Sequence, residues 1–162
     1  MYIVDSNILI EAKNRYYSFD IVPGFWTWLE RSHKQGMVCS IDKVQKELLD
    51  GEDELAEWAD SHKEFFHSTT DQATLDCFSP LTDWACRQKY TRTALNDFTA
   101  NTADYVLVAY ACAHKYIVVT HETSAINSRK RIKIPDACDA FNVNYVDTFK
   151  MLRNTNTKFD LL

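Results

Sequence analysis

N-T-A-D-Y-V-L-V-A-Y-A, residues 101–111, runs almost directly into Y-I-V-V-T-H-E, residues 116–122. The first segment reads as a long helix from Ala103 to His114, with Thr102 placed to cap it. The second opens on a β-branched strand, Tyr116 to Thr120. A helix feeding a short buried strand is the repeating step of a parallel α/β sheet. The same alternation recurs on either side. Tyr2 to Asp5 is a short apolar run ending in an acid, and Met37 to Ile41 is a second strand. Between them, Gly24 to Gln35 is an aromatic-rich helix that Gly36 stops. Asp42 is placed to cap a helix through Leu49, ended by Gly51. Glu52 to Phe66 carries Leu55, Trp58, Ala59, His62 and Phe66 at helical spacing. Asp71 to Lys89 is a further helical region, broken near Pro80. Beyond the quoted stretch, Asn144 to Val146 is a weaker strand between short helices at Asp136–Phe141 and Asp147–Leu152, and the polar tail after Arg153 is expected to be loose. The fold expected is α/β, a central parallel sheet flanked by helices on both faces.

Composition narrows the class. At 162 residues, 46% hydrophobic and 13% aromatic, the chain suits one globular domain. Three Gly and three Pro are too few for the tight turns of a sandwich or barrel. The five cysteines (Cys39, Cys77, Cys86, Cys112, Cys138) are odd in number and show no C-x-x-C spacing, against a zinc site or a secreted disulfide framework. No signal peptide or membrane span can be drawn, so the expected setting is cytoplasmic, with no membrane partner. The net charge of −5 means that any nucleic-acid contact must be local or assisted by metal.

Four acids carry the chemistry. In open parallel sheets, ligands bind beyond the carboxyl ends of the strands. Asp5 follows Y-I-V and Glu122 follows I-V-V-T-H, both at such ends. Asp104 lies in the first turn of its helix on the face of Leu107, Val108 and Ala111, which aims it inward. Glu47 lies one turn after Val44, beside Leu48. Converging carboxylates repel in a low dielectric, and a hard divalent ion such as Mg²⁺ or Mn²⁺ removes that penalty. Singly, each acid has a structural explanation: Asp5-Ser6-Asn7 as a cap, Asp104 as a charge against the helix dipole. The ordered set of four, each on its own element, is what suits phosphodiester hydrolysis.

The order Asp5-Ser6-Asn7, Glu47, Ala103-Asp104, Thr120-x-Glu122 resembles the PIN-domain family. Ile134-Pro135-Asp136-Ala137-Cys138 and the D-E-L-A-E-W run at Asp53–Trp58 resemble a PIN-like subfamily with T-x-E in place of T-x-D. The likeness spans roughly Tyr2 to Leu152. It implies a single PIN-like domain over residues 1–153 with a C-terminal tail at 154–162. It further implies a Mg²⁺- or Mn²⁺-dependent endoribonuclease with metal on Asp5, Glu47, Asp104 and Glu122, an RNA substrate, and a toxin role opposite a cognate antitoxin. A homodimer is also expected. Glu122 departs from the commoner Asp, and Ser124 stands where many relatives carry another acid.

Around the acids, Ser6, Asn7 and Thr120 are candidates to orient the carboxylates, or else to cap. Arg129, Lys130, Arg131 and Lys133 form the densest basic run and are the candidate phosphate contacts, with Arg87, Lys89 and Arg92 a weaker group. None of His33, His62, His67, His114 and His121 shows metal-ligand spacing, and His121 is read as structural. Trp26, Trp28, Trp58 and Trp84 read as core or dimer contacts, and Asp136 as a helix cap. A haloacid-dehalogenase reading fails because Asn7 stands where its second acid belongs. A catalytically weak or inactive binding module is the standing rival, and the acids alone do not separate RNA from DNA.

Overall fold

A computed structural model of the chain describes residues 1–100, 102–125 and 127–160. Its centre is a five-stranded, all-parallel sheet of β1 (Tyr2–Val4), β2 (Val38–Ile41), β3 (Phe66–His67), β4 (Ile117–Val119) and β5 (Tyr145–Val146), ordered β3-β2-β1-β4-β5. Ile3 and Val4 are successive, so they point to opposite faces, and both are fully buried. All four residues of β2 are buried as well. Helices therefore flank both faces, as the run of apolar residues in each strand requires.

The helices are α1 (Ser6–Glu11, continued by a π-helical turn over Ala12–Tyr16), α2 (Pro23–Lys34), α3 (Asp42–Leu49), α4 (Glu54–Ser61), α5 (Gln72–Asp76), α6 (Phe78–Arg87), α7 (Arg92–Thr99), α8 (Ala103–His114), α9 (Ile134–Ala140) and α10 (Thr148–Asn154). The central helix is α8, with Tyr105 through Ala111 all buried. Its hydrophobicity all round, rather than on one stripe, marks a helix enclosed by its neighbours. It packs on α3, α5, α6, α7, α9 and β4.

Several local readings need correction. The Asp71–Lys89 region breaks at Cys77, not at Pro80, which sits in the first turn of α6 where its missing N–H costs nothing. Leu55, Trp58 and Ala59 do form the buried face of α4, but the helix stops at Ser61 and Phe66 belongs to a strand. Gly36 adopts φ +69° and ends α2, and α3 ends at Leu49 ahead of Gly51, with Glu52 the left-handed residue there. Asp42 is the first residue of α3 rather than its cap, and its carboxylate accepts instead from the Thr69 N–H (3.2 Å) and hydroxyl (2.8 Å). Thr102 sits at the N-cap of α8, but its hydroxyl donates back to Phe98 O at 3.1 Å. In the tail, Phe159 lies against Phe25 and Trp28, with ring centroids 6.0 and 6.4 Å away. Leu161 and Leu162 of that tail lie outside the described residues. Among the described residues no helix is long and apolar enough to cross a membrane.

Candidate active site

The strand order sets the location. From β1 the chain winds outward through β2 to β3, then returns to build β4 and β5 on the other side. The reversal falls between β1 and β4, the crevice where open α/β sheets hold ligands. Asp5 leaves β1 there, and Thr120 and Glu122 leave β4. The Asp5 N–H donates to Val119 O at 3.1 Å, so the two strand ends are joined by backbone at the site itself.

Asp5 is 1% exposed. One carboxylate oxygen accepts from the Ser6 hydroxyl at 3.3 Å, the other from the Thr120 hydroxyl at 3.2 Å. Among the described residues no cation pairs with it. Burial, followed by repulsion from Asp104 and Glu122, pushes its pKa up to about 7, against the opposing pull of the Thr120 hydroxyl and the Asn7 backbone. Asp104 is likewise raised, by burial and then by Glu122, with Arg131 and Lys133 opposing. Glu47 keeps access to solvent on α3, yet partial burial raises it, with Asp104 and Asp50 adding and a Ser6 hydrogen bond opposing. Ser6 thus stands between Asp5 and Glu47 with one hydroxyl proton to offer them.

The four acids do not share one open cavity. Glu47 and Asp104 line a cavity of ≈ 390 Å³ together with Ser6, Asn7 and Arg131. Glu122 and Thr120 line a neighbouring cleft of ≈ 420 Å³. Asp5 is buried between the walls, touching Ser6 on one side and Thr120 on the other. Among the described residues no three His, Cys, Asp or Glu side chains converge closely enough, as they stand, to hold a metal ion.

Glu122 shows why. Its side chain is 10% exposed and both oxygens are engaged. Oε1 accepts from Lys133 Nζ at 2.9 Å and Arg131 Nη2 at 3.1 Å; Oε2 accepts from the Ile134 N–H at 2.9 Å. Arg131 also reaches Asp104 at 3.5 Å. Two members of the basic run, expected to meet RNA phosphates, therefore lie on the acids and neutralise them. Arg129 and Lys130 are exposed, and only Lys130 and Arg131 of the run line the Asp104 cavity.

Three further residues complete the surroundings, of which Asp97 has no role in the sequence pattern. His121, read as structural, joins two elements across the cleft. Its Nδ1 lies 2.7 Å from the Glu11 carboxylate and its Nε2 2.9 Å from the Thr148 hydroxyl, on the cleft that Glu122 lines. In the neutral ring Nδ1–H donates to Glu11, leaving Nε2 to accept from Thr148. Asp97, on α7, lines the Asp104 cavity as a further acid. Asp136 is no cap: it accepts from the Ser124 hydroxyl at 2.6 Å and the Ala125 N–H at 3.2 Å, pinning the loop after Glu122. The spacing Glu122-x-Ser124 was visible, but its partner twelve residues on was not.

Fold and site together define an α/β protein with a buried acid, flanked by further carboxylates, at the switch point of a parallel sheet. Over residues 2–159 the chain matches the family described as Domain of unknown function (DUF4411), and it belongs to that family. No curated protein and no solved structure matches it.

Proposed function

We propose that this chain is a PIN-like, Mg²⁺- or Mn²⁺-dependent endoribonuclease. The observation that carries the reading is Asp5: a carboxyl 1% exposed, with no cationic partner among the described residues, beside two further carboxylates that repel its charge. A buried acid in that position calls for either a proton or a cation. The donor set is all oxygen, which fits a hard divalent ion. Asp5, Asp104 and Glu47 would hold it, and Glu122 would join by exchanging Arg131 for the ion. Once bound, such an ion shields phosphate charge and lowers the pKa of a coordinated water. The chain's own side chains do the rest. Ser6 and Thr120 fix the Asp5 oxygens by hydrogen bonds. Lys133 and the Ile134 N–H hold Glu122 in place. Lys130 and Arg131 offer charge to the substrate backbone at the cavity mouth.

The test is cleavage of a fluorophore–quencher single-stranded RNA with Mn²⁺ or Mg²⁺, against EDTA. Asp5→Asn and Asp104→Asn should each lower the rate by more than about a hundredfold, since even residues that only orient metal ligands cost 10–100-fold. Undiminished cleavage in both variants would end this reading. The proposal extends to a type II toxin restrained by a cognate antitoxin: expression of the chain alone should arrest growth, and Asp5→Asn should relieve the arrest. One observation favours a second reading, a binding module without catalysis. Glu122 is already neutralised by Lys133 and Arg131, as a retired metal site would be. That reading expects RNA binding with neither cleavage nor Mn²⁺ uptake.

A further inference from the structure

The geometry points to a nucleotide subsite beside the acid cleft: the cavity walled by Trp84, Tyr90 and Arg129 takes a base and its phosphate from single-stranded nucleic acid leaving the cleft. The inference builds on the nuclease reading and extends it from the acids to the strand they would act upon.

The same two chain segments wall both cavities, side by side. Lys89 and Tyr90 precede α7 and line a cavity of ≈ 540 Å³, while Ala94, Asp97 and Phe98 of α7 itself line the Asp104 cavity. Arg129 lines the first, and Lys130 and Arg131, its successors, line the second. The Thr91 N–H donates to Arg129 O at 2.8 Å, binding the two segments at the point where one cavity gives way to the other. Arg129 and Arg131, two residues apart, are separated by no more than about 7 Å of backbone. A strand passing from the acid cavity over this segment would come to Arg129 next.

The lining suits a nucleotide. Trp84 and Tyr90 are half-buried, with ring centroids 6.4 Å apart at 66°, and Trp84 is braced edge-on by Phe141 at 6.2 Å. Rings held in this way but open on one side offer a surface for an unpaired base. Arg87, Lys89 and Arg129 bring three exposed cations to the rim. Two carboxylates, Asp136 and Asp139, share the cavity. Asp136 is occupied by Ser124 and Ala125, and the local balance stays positive within a chain of net charge −5. A base stacked within a duplex could not reach the rings, so the subsite selects single strands.

Fluorescence anisotropy with a short labelled single-stranded RNA tests this, in EDTA and in the Asp104→Asn background so that nothing is cut. Trp84→Ala should weaken binding about tenfold, and Trp84→Phe should retain most of it. Arg129→Glu, an exposed change that threatens no packing, should weaken binding and flatten its salt dependence. A duplex of the same sequence should bind at least about tenfold more weakly. Parental affinity in both Trp84→Ala and Arg129→Glu, or equal affinity for duplex, overturns the subsite. Should Trp84→Ala lose its circular-dichroism signature, Arg129→Glu and the duplex comparison decide. Binding that shows these losses in a chain that never cuts RNA upholds the subsite and defeats the nuclease reading. Cutting with neither loss does the reverse.

Discussion

Asp5 links function to stability with a sign that can be measured. Its folded pKa stands at about 7 against an ordinary 3.8, so folding favours the protonated form. Below about pH 4 folded and unfolded chains are both protonated there, and nothing is lost. As pH rises towards 7, the unfolded chain releases a proton that the folded one retains, and stability falls; above 7 the loss is complete, on the order of 4 kcal/mol for a shift of this size. Asp104 and Glu47 shift in the same direction. Metal-free Asp5→Asn should therefore melt several degrees above the parent at pH 8 and level with it near pH 4, by thermal scans across pH. A parent at least as stable as the variant at pH 8 would show that the buried charge carries no penalty. Binding of a cation requires the same proton to leave, so Mn²⁺ affinity should rise with pH through about 7. Arg131 gives a second prediction at this scale. It lies on Glu122 and Asp104 where a divalent ion would compete, and it faces the cavity that would admit phosphate. Arg131→Ala should tighten Mn²⁺ binding while weakening RNA binding, by titration calorimetry and anisotropy. Changes of the same sign in both would remove the competition between side chain and ion.

At the scale of elements, α3 holds Glu47 and α4 holds α3. Asp53 starts α4, accepting from the Leu55 N–H at 3.0 Å and the Ala56 N–H at 3.1 Å while Lys13 of the π-helical turn pairs with its other oxygen. Asp53→Ala should cost about 1–2 kcal/mol by urea denaturation, and Asp53→Asn, which keeps the accepting oxygen, distinctly less. Equal losses would place the worth of Asp53 in its ion pair rather than its cap. The same helices show what the sequence could reveal. The bounds of α8 were legible because an unbroken apolar run from Tyr105 to Ala113 lies between Thr102 and Lys115, where the backbone turns left-handed at φ 57°. The strands β1 and β2 were legible as short apolar runs and β4 as a β-branched one, and with them the positions of Asp5 and Glu122. By contrast β3 is two residues long and exists only because Ser40 and Ile41 offer it an edge. No periodicity can announce such a strand, and Phe66 fell in step with the helix before it. The helix α7 was missed as well: R-T-A-L-N-D-F-T buries only Ala94 and Phe98, too faint a stripe to read. With α7 went Asp97 and a wall of the Asp104 cavity. Contacts such as Arg131 on Glu122 or His121 on Glu11 join residues whose proximity is set by loops, and no local pattern encodes them.

For the whole molecule, the question is whether its acidity is focused or diffuse. A chain of net charge −5 attracts divalent cations wherever it is folded, but that attraction is screened within about 10 Å at 0.1 M salt. A site that sets the buried Asp5 beside Asp104, with Glu47 at its solvent side, would bind by direct coordination, which salt weakens far less. An ion that binds the folded chain alone stabilises it by about 2.7 kcal/mol when present at a hundred times its dissociation constant. For a chain of this length that corresponds to a melting temperature raised by roughly 5–10 °C. Saturating Mn²⁺ should produce a rise of this order at pH 8, survive high KCl, and vanish in Asp104→Asn. The variant removes one cleft charge and leaves the surface charges in place, so it separates the cleft from the envelope. A rise that Asp104→Asn retains, or that KCl abolishes in the parent, would assign the ion to the surface at large and leave the acids at the switch point without the cation that makes their proximity useful.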